Sequence, residues 1–349
     1  MAIDWTRGYS CEWRVLRVDP ATWTDAGVVP GFVSATVTRE RDGTMERTAM
    51  ELTARPDEEF AEGWYRLSML ALQDGTTERV DVSTMWCSVT EDAYARGATT
   101  RSVEGRSPLW PVASQAMPIG SYAPAGSDGA AWVAQRIAER TPAPVVVRGG
   151  FALDTHVVFE QGATALDACR QVLDAGGYVL MLDGDGTITI CEPPDEPALV
   201  LDSAGARLLQ PEAGRKADWT EVPNRYVAAL GSRVAEAVNV DPASPTSIAA
   251  RGFVVDAPNS PDTSPVLVGG ETLDAYCARR LSELSTVGEE HSYKREWWPG
   301  VSPGSLVRGS LASVGIDGDM RVTSQQLGCG RGIVVEETAE REVRSWPTS

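Results

Sequence analysis

Residues 165–194 read ALDACRQVLDAGGYVLMLDGDGTITICEPP, and the order of apolar and turn residues in this stretch decides the local fold. Thr164, just before it, can accept from backbone N–H groups at a helix start, with Asp167 three residues on. Leu166, Cys169 and Val172 or Leu173 then recur at helical spacing, and Gly176-Gly177 supply the residues that end a helix without strain. The spacing predicts a helix with defined ends. Past the glycines, Tyr178 to Leu182 and Thr187 to Cys191 are apolar runs around Asp183-Gly184-Asp185-Gly186, the chemistry of a β-hairpin turn. A helix packed on a small sheet follows.

Working outward, a helix is expected from about Gly129 to Arg140, capped by Ser127 or Asp128, with strands at Pro144 to Arg148 and near Thr155 to Phe159. Residues 128–198 therefore read as a small α+β domain. Before it, residues 114–127, rich in Pro, Gly, Ala and Ser, break both periodicities and read as a linker. Residues 1–113 are β throughout, from Cys11, Trp13 and Val15 alternating against Glu12 and Arg14 to further strands at 32–38, 45–53, 63–72 and 78–89. Asp42-Gly43 and Asp74-Gly75 supply hairpin turns between them. After the α+β segment, residues 199–349 return to β, at 224–230, 233–240, 248–255, 289–297, 306–311 and 320–327. One helix interrupts them, Glu271 to Ser285, with Thr272 or Gly270 near its start and Leu273, Tyr276, Cys277, Leu281 and Leu284 on one face. The fold class expected is α+β and mostly β, with two antiparallel β-barrel-like domains flanking a small α+β domain.

The chain has 349 residues, 49 acidic against 31 basic, and a formal charge of −18. That balance disfavours grip on phosphate backbones, because such affinity comes from Lys and Arg displacing counterions. Nucleic acid is expected at most as a passenger, since an acidic wall repels DNA and lets it slide past. No apolar run approaches the roughly 20 residues that span a bilayer, so no membrane insertion is expected, and Met1 to Arg14 lacks a signal-peptide pattern. The six cysteines lie far apart, with only His156 and His291 to join them. No metal and no cofactor is expected, and Cys169 and Cys277 read as small core residues of the two helices.

Three motifs suggest chemistry and lose it on inspection. Gly300-Val301-Ser302-Pro303-Gly304 matches GxSxG, but the nucleophile elbow needs the N–H of the residue after the serine, and Pro303 has none. Asp183, Asp185, Gly186 and Glu192 fit part of a calcium-loop frame, but its first ligand would be Met181, whose thioether is no substitute for a hard oxygen. Gly328-Cys329-Gly330-Arg331-Gly332 lacks dinucleotide-site spacing and reads as a turn between strands. No catalytic residue is expected. Trp297-Trp298 beside Pro299 is the candidate interface pair: neighbours on a strand face opposite sides, so one ring belongs in a core and the other is at most half-buried.

Four stretches in order carry a family resemblance. Tyr9-Ser10-Cys11-Glu12-Trp13 with Thr22-Trp23 looks like the first barrel strand of tail-tip proteins from phages of Gram-positive hosts. Residues 165–194 are similar to the helix, glycine break and DxDG hairpin between the two barrels of baseplate hub proteins. Asn224-Arg225-Tyr226-Val227-Ala228-Ala229-Leu230-Gly231 looks like the opening of the second barrel. The helix at 271–285, then Trp297-Trp298-Pro299-Gly300 and Pro303-Gly304-Ser305-Leu306-Val307, resembles the hub ending. The chain thus resembles baseplate hub or tail-tip proteins of tailed phages and related contractile injection machines. That resemblance implies a structural virion protein made in the host cytoplasm: a homotrimer that turns threefold into approximate sixfold symmetry. Its partners would be the tail tube or a distal tail ring protein, a central spike or fibre and the tape-measure protein, with DNA passing through its channel. The chain stops at Ser349 with no appended lysozyme or peptidase domain, so no enzymatic activity is expected. The competing expectation is a carbohydrate- or receptor-binding module of the tail periphery, motivated by 11 tryptophans.

Overall fold

A computed structural model of the chain describes residues 3–5, 7–55, 60–95, 98–202, 208–263, 265, 271–311, 316–330 and 333–346. Seven strands open it: β1 (Ser10–Asp19), β2 (Thr24–Val29), β3 (Phe32–Asp42), β4 (Met45–Ala54), β5 (Gly63–Gln73), β6 (Thr76–Ala95) and β7 (Ala98–Arg106). The Asp-Gly turns close as expected. Gly43 has φ 62°, and Asp74 and Gly75 have φ 47° and 79°, the positive values a two-residue hairpin demands.

The middle of the chain runs α1 (Trp110–Ala113), β8 (Tyr122–Ala123), α2 (Gly129–Ala138), β9 (Val145–Val147), β10 (Val157–Val158), α3 (Ala165–Gly176), β11 (Val179–Leu182) and β12 (Ile188–Cys191). Asp128, not Ser127, caps α2 by accepting from Ala130 and Ala131. Thr164 and Asp167 form a reciprocal capping box on α3, and Gly177 ends that helix at φ 67°. Residues 114–127 are tied down by β8 and by Met117 N–H donating to the Ala163 carbonyl at 2.9 Å. The chain continues through β13 (Pro197–Asp202), β14 (Leu208–Ala217), β15 (Arg225–Leu230), β16 (Arg233–Val238), α4 (Ile248–Arg251), α5 (Leu273–Leu284), β17 (Thr286–Glu296), β18 (Leu306–Leu311), β19 (Ile316–Cys329) and β20 (Ile333–Arg344).

Two expectations need correction here. The strand expected over 248–255 begins instead as a helical turn: Ser247 accepts from the Ala250 N–H, Ala249-Ala250 favour helix, and Gly252 ends it at φ 74°. Two strand pairs, β9 with β12 and β13 with β18, are parallel, where an antiparallel arrangement was expected. Thr272 caps α5, accepting from Ala275; Gly270, the other candidate, lies outside the described residues, as do Arg331 and Gly332.

By compactness the chain forms two units, 1–213 with 292–339, and 214–291 with 340–349. In the first, the strands pair in the order β20-β19-β3-β4-β7-β6-β5-β1-β2, with β18 on β19 and β13 on β18. This is a large sheet traced as an open path, and no closed barrel forms among the described residues. Val37, Met69, Val82, Met85 and Leu327 fill the core of this sheet, each fully buried. A second cluster joins Val133, Ile137, Cys169, Leu173 and Ile188 of the α+β segment to Trp23, Met45 and Trp64 of the sheet. In the other unit, α5 packs Leu273, Tyr276, Cys277 and Leu281 on Tyr226 and Ala228 of β15 and Ala235 of β16. Cys169 and Cys277 are both fully buried among these apolar side chains.

Candidate functional site

The DxDG hairpin is more than a turn. Its local chemistry is self-contained: Asp183 N–H donates to the Thr187 carbonyl, Gly186 N–H to the Asp183 carbonyl, and Thr189 Oγ1 to Asp183 Oδ2 at 3.0 Å. Gly186 has φ 84° and so needs to be glycine for its backbone alone. Gly184 does not have positive φ, yet a Cβ there would come 1.8 Å from the Asp81 carbonyl oxygen. It is glycine because the tip lies against the backbone of β6.

Around that contact, side chains of the sheet receive the hairpin's free carbonyls. Trp23 Nε1 donates to Asp185 O at 2.9 Å, Arg66 Nη2 to the same oxygen at 3.0 Å, and Thr84 Oγ1 to Gly184 O at 3.0 Å. Further back along β11, Leu180 N–H donates to the Thr44 carbonyl at 2.8 Å and Leu182 N–H to Glu46 Oε2 at 3.0 Å. Arg66, only 6% exposed, is held in turn by Asp25 at 2.7 Å and by Thr84 Oγ1. The hairpin is thus docked by hydrogen bonds that a buried surface needs if its polar groups are to be satisfied.

Two charges of the sheet are buried beside this contact. Arg39 donates to the Val82 carbonyl, and burial pushes its guanidinium below the usual value against the pull of Glu46. Glu46 is 1% exposed, and burial raises its carboxyl to about 7, although Arg39 and the Leu182 N–H act the other way. Asp183 is also pushed up by burial, opposed by the Thr189 hydroxyl.

Next to the hairpin lies a cavity of about 360 Å³ lined by Arg39, Asp81, Arg148, Asp183 and Thr189 on one side and by Trp297, Gly300, Ser302 and Ser305 on another. It brings together three stretches singled out in the sequence: the DxDG turn, the tryptophan pair and the GxSxG match. Ser302 sits in a turn entering β18, where Ser305 N–H donates to its carbonyl and its own N–H donates to Ser305 Oγ at 3.1 Å. The two tryptophans divide into one buried and one half-buried ring as expected, although β17 ends at Glu296 and neither lies on a strand. Trp297 is 2% exposed, in the core of the large sheet and edge-on to Trp5, whereas Trp298 is half-buried against the Leu201 and Val307 cluster.

Sequence reading did not find Glu46, Arg66 or Thr84, which sit on strands as ordinary polar alternates. The signal available was the first glycine of the turn, Gly184, which has no conformational reason of its own. Among the described residues no group of three His, Cys, Asp or Glu side chains is placed to hold a metal ion.

No protein-family model matches the sequence, and none of the curated proteins matches it. Solved structures do match by fold. The 43 kDa tail protein of prophage MuSo2 from Shewanella oneidensis superposes with a TM-score of 0.60 at 15% identity, over 96% of this chain and 98% of its own. The tail protein from Neisseria meningitidis MC58 superposes with a TM-score of 0.60 at 14% identity, over 96% and 97%. Over 96% of its length, then, this chain is similar in fold to these two tail proteins.

Proposed function

We propose that the chain is a structural subunit of a phage-type tail tip: a homotrimeric hub that joins the tail tube, or a distal ring protein on it, to a central spike or fibre. In this reading it works without catalysis. Two barrel-like β regions, 1–113 and 199–349, flank the α+β domain 128–198, and three copies make a ring of six similar β units around a channel. Tape-measure protein and DNA pass through that channel, and the net charge of −18 suits a wall that DNA slides past. Trp298, the half-buried ring of the pair, is the one a neighbouring subunit would cover.

The observation that supports the reading is the fold likeness to two tail proteins, one of them from a prophage, over nearly the whole length of both partners. A likeness confined to one domain would be compatible with many roles; one that spans the chain leaves little of it for another. Gold-labelled antibody against the chain, applied to purified particles in negative stain, is expected to mark the distal end of the tail. Label on the head, or along the tail shaft, overturns the proposal, and label on peripheral fibres alone favours a carbohydrate- or receptor-binding module instead.

A further inference from the structure

In the unit formed by 214–291 and 340–349, two arginines and a histidine surround one carboxylate. Glu289 and His291 lie on the inward face of β17, and both are fully buried. Glu289 Oε1 lies 2.6 Å from Arg215 Nε, on β14, which ends the strand order beside β17. The same oxygen lies 3.2 Å from Arg341 Nη2 on β20 and 2.8 Å from His291 Nε2. Neither imidazole nitrogen makes a well-aligned hydrogen bond. Further along this face, Tyr293 and Arg295 of β17 are taken up by Glu337 of β20, while Glu290 and Glu340 alternate to the other face. Among the described residues, Glu289 is therefore the one anion within ion-pair reach of His291.

We propose that this cluster is an acid-operated switch: protonated His291 takes Glu289 Oε1, Arg215 leaves that oxygen for water, and β14 loosens from β17. A carboxylate oxygen has two lone pairs, so Oε1 cannot satisfy three N–H donors at once. Arg215 gives way because its side chain is 53% exposed, against 26% for Arg341 and none for His291. Charge pushes the same way: two guanidiniums and one carboxylate leave one net positive charge, and a proton taken from water makes it two. Burial holds the imidazole below its ordinary 6.5 against the pull of Glu289, with Arg341 and Arg215 helping. The neutral ring is thus the folded form at pH 7, and its stabilisation is complete above pH 6.5 and lost as pH falls through the folded value. This switch stands apart from the hub reading, which neither requires nor forbids it.

The chain has two histidines, so the full-length protein with carbon-labelled histidine gives two imidazole signals in a magnetic resonance titration, and His156→Gln assigns them. His291 is expected to be neutral at pH 7.5 and protonated at pH 5. Over that interval, hydrogen exchange at 214–217, scaled for the intrinsic rate, is expected to speed about tenfold in wild type and to stay nearly level in His291→Gln. Arg215→Gln, at a half-exposed position where folding is safe, removes the competitor and is expected to raise the titration of His291 by about half a pH unit. An imidazole already charged at pH 7.5, or still neutral at pH 5, overturns the switch. So does exchange that speeds equally in wild type and His291→Gln. Should His291→Gln fail to fold, an unmoved His291 titration in Arg215→Gln overturns it by itself.

Discussion

Two buried glutamates, Glu46 in one compact unit and Glu289 in the other, are held in different ways. Glu46, in the unit formed by 1–213 and 292–339, is 1% exposed and has a backbone N–H and Thr48 for company, with no guanidinium in ion-pair contact among the described residues. Glu289, in the unit formed by 214–291 and 340–349, is fully buried, with Arg215 at 2.6 Å and Arg341 at 3.2 Å. His291 Nε2 lies 2.8 Å from Glu289 Oε1, off the line of a good hydrogen bond. Burial works to raise both carboxyls. At Glu46 it wins; at Glu289 the Arg215 hydrogen bond and the Arg341 charge overcome it and hold the acid below its usual value. Partners, not depth, decide which buried acid is charged.

Removing the Glu289 carboxylate is expected to cost most. Glu289→Ala leaves Arg341 and His291 facing each other without an anion, and loss of one partner of a buried pair costs about 3–5 kcal/mol. Hydrogen exchange in β17 and α5 at pH 7 reads it, and wild-type protection in that variant would show that the arginines relax into solvent at no cost.

The pH dependence of Glu46 has the opposite sign. Its folded value, about 7, lies above the ordinary 4.5, so the folded state binds the extra proton between those limits. Stability attached to this group is complete below pH 4.5 and falls as pH rises to about 7. Glu46→Gln keeps an oxygen for the Leu182 N–H and removes the titration. Its stability relative to wild type is expected to improve by roughly 2–3 kcal/mol between pH 5 and pH 8, measured by urea unfolding. An equal offset at both pH values would mean that Glu46 is ionised in the fold. For Glu289, held low, the sign reverses: its stabilisation is present above the usual carboxylate value and is lost as pH falls through the folded one.

Gly184→Ala forces a Cβ onto the Asp81 carbonyl and is expected to cost about 2 kcal/mol, seen as faster exchange at Leu180 and Leu182. An unchanged rate there would mean that the hairpin tip has room to lift. The smallest effect belongs to Thr164→Ala, which takes away half of the capping box on α3 and about 1 kcal/mol, read from the midpoint of urea unfolding.

What could be read in advance was local. Thr164, Asp167 and Gly177 mark the ends of α3 because a capping box and a left-handed glycine act within a few residues. The mostly β character and the Asp-Gly hairpins follow for the same reason. Ser247-Ile248-Ala249-Ala250 misled, since a β-branched residue before two alanines suits either a strand or the cap and first turn that formed. The pairing of β19 with β3, which sets Cys329 opposite Ala35, is invisible to any periodicity. So is the burial of Glu46, Arg39 and Arg66, because a charged residue alternating in a strand looks solvent-facing until a distant hairpin covers it. Trp297 and Trp298 lay between these cases: one buried ring and one half-buried ring were expected and found, but both lie past the end of β17, so strand alternation is not the reason, and the cavity beside Trp297 needed the fold.

The measurement that bears most directly on the hub is the mass of the purified protein in solution, by light scattering across a concentration series, with negative-stain images of the same sample. The proposed assembly predicts three times the chain mass and a ring with a central hole. A compact monomer at every concentration, both alone and mixed with the tail-tube protein, would contradict it.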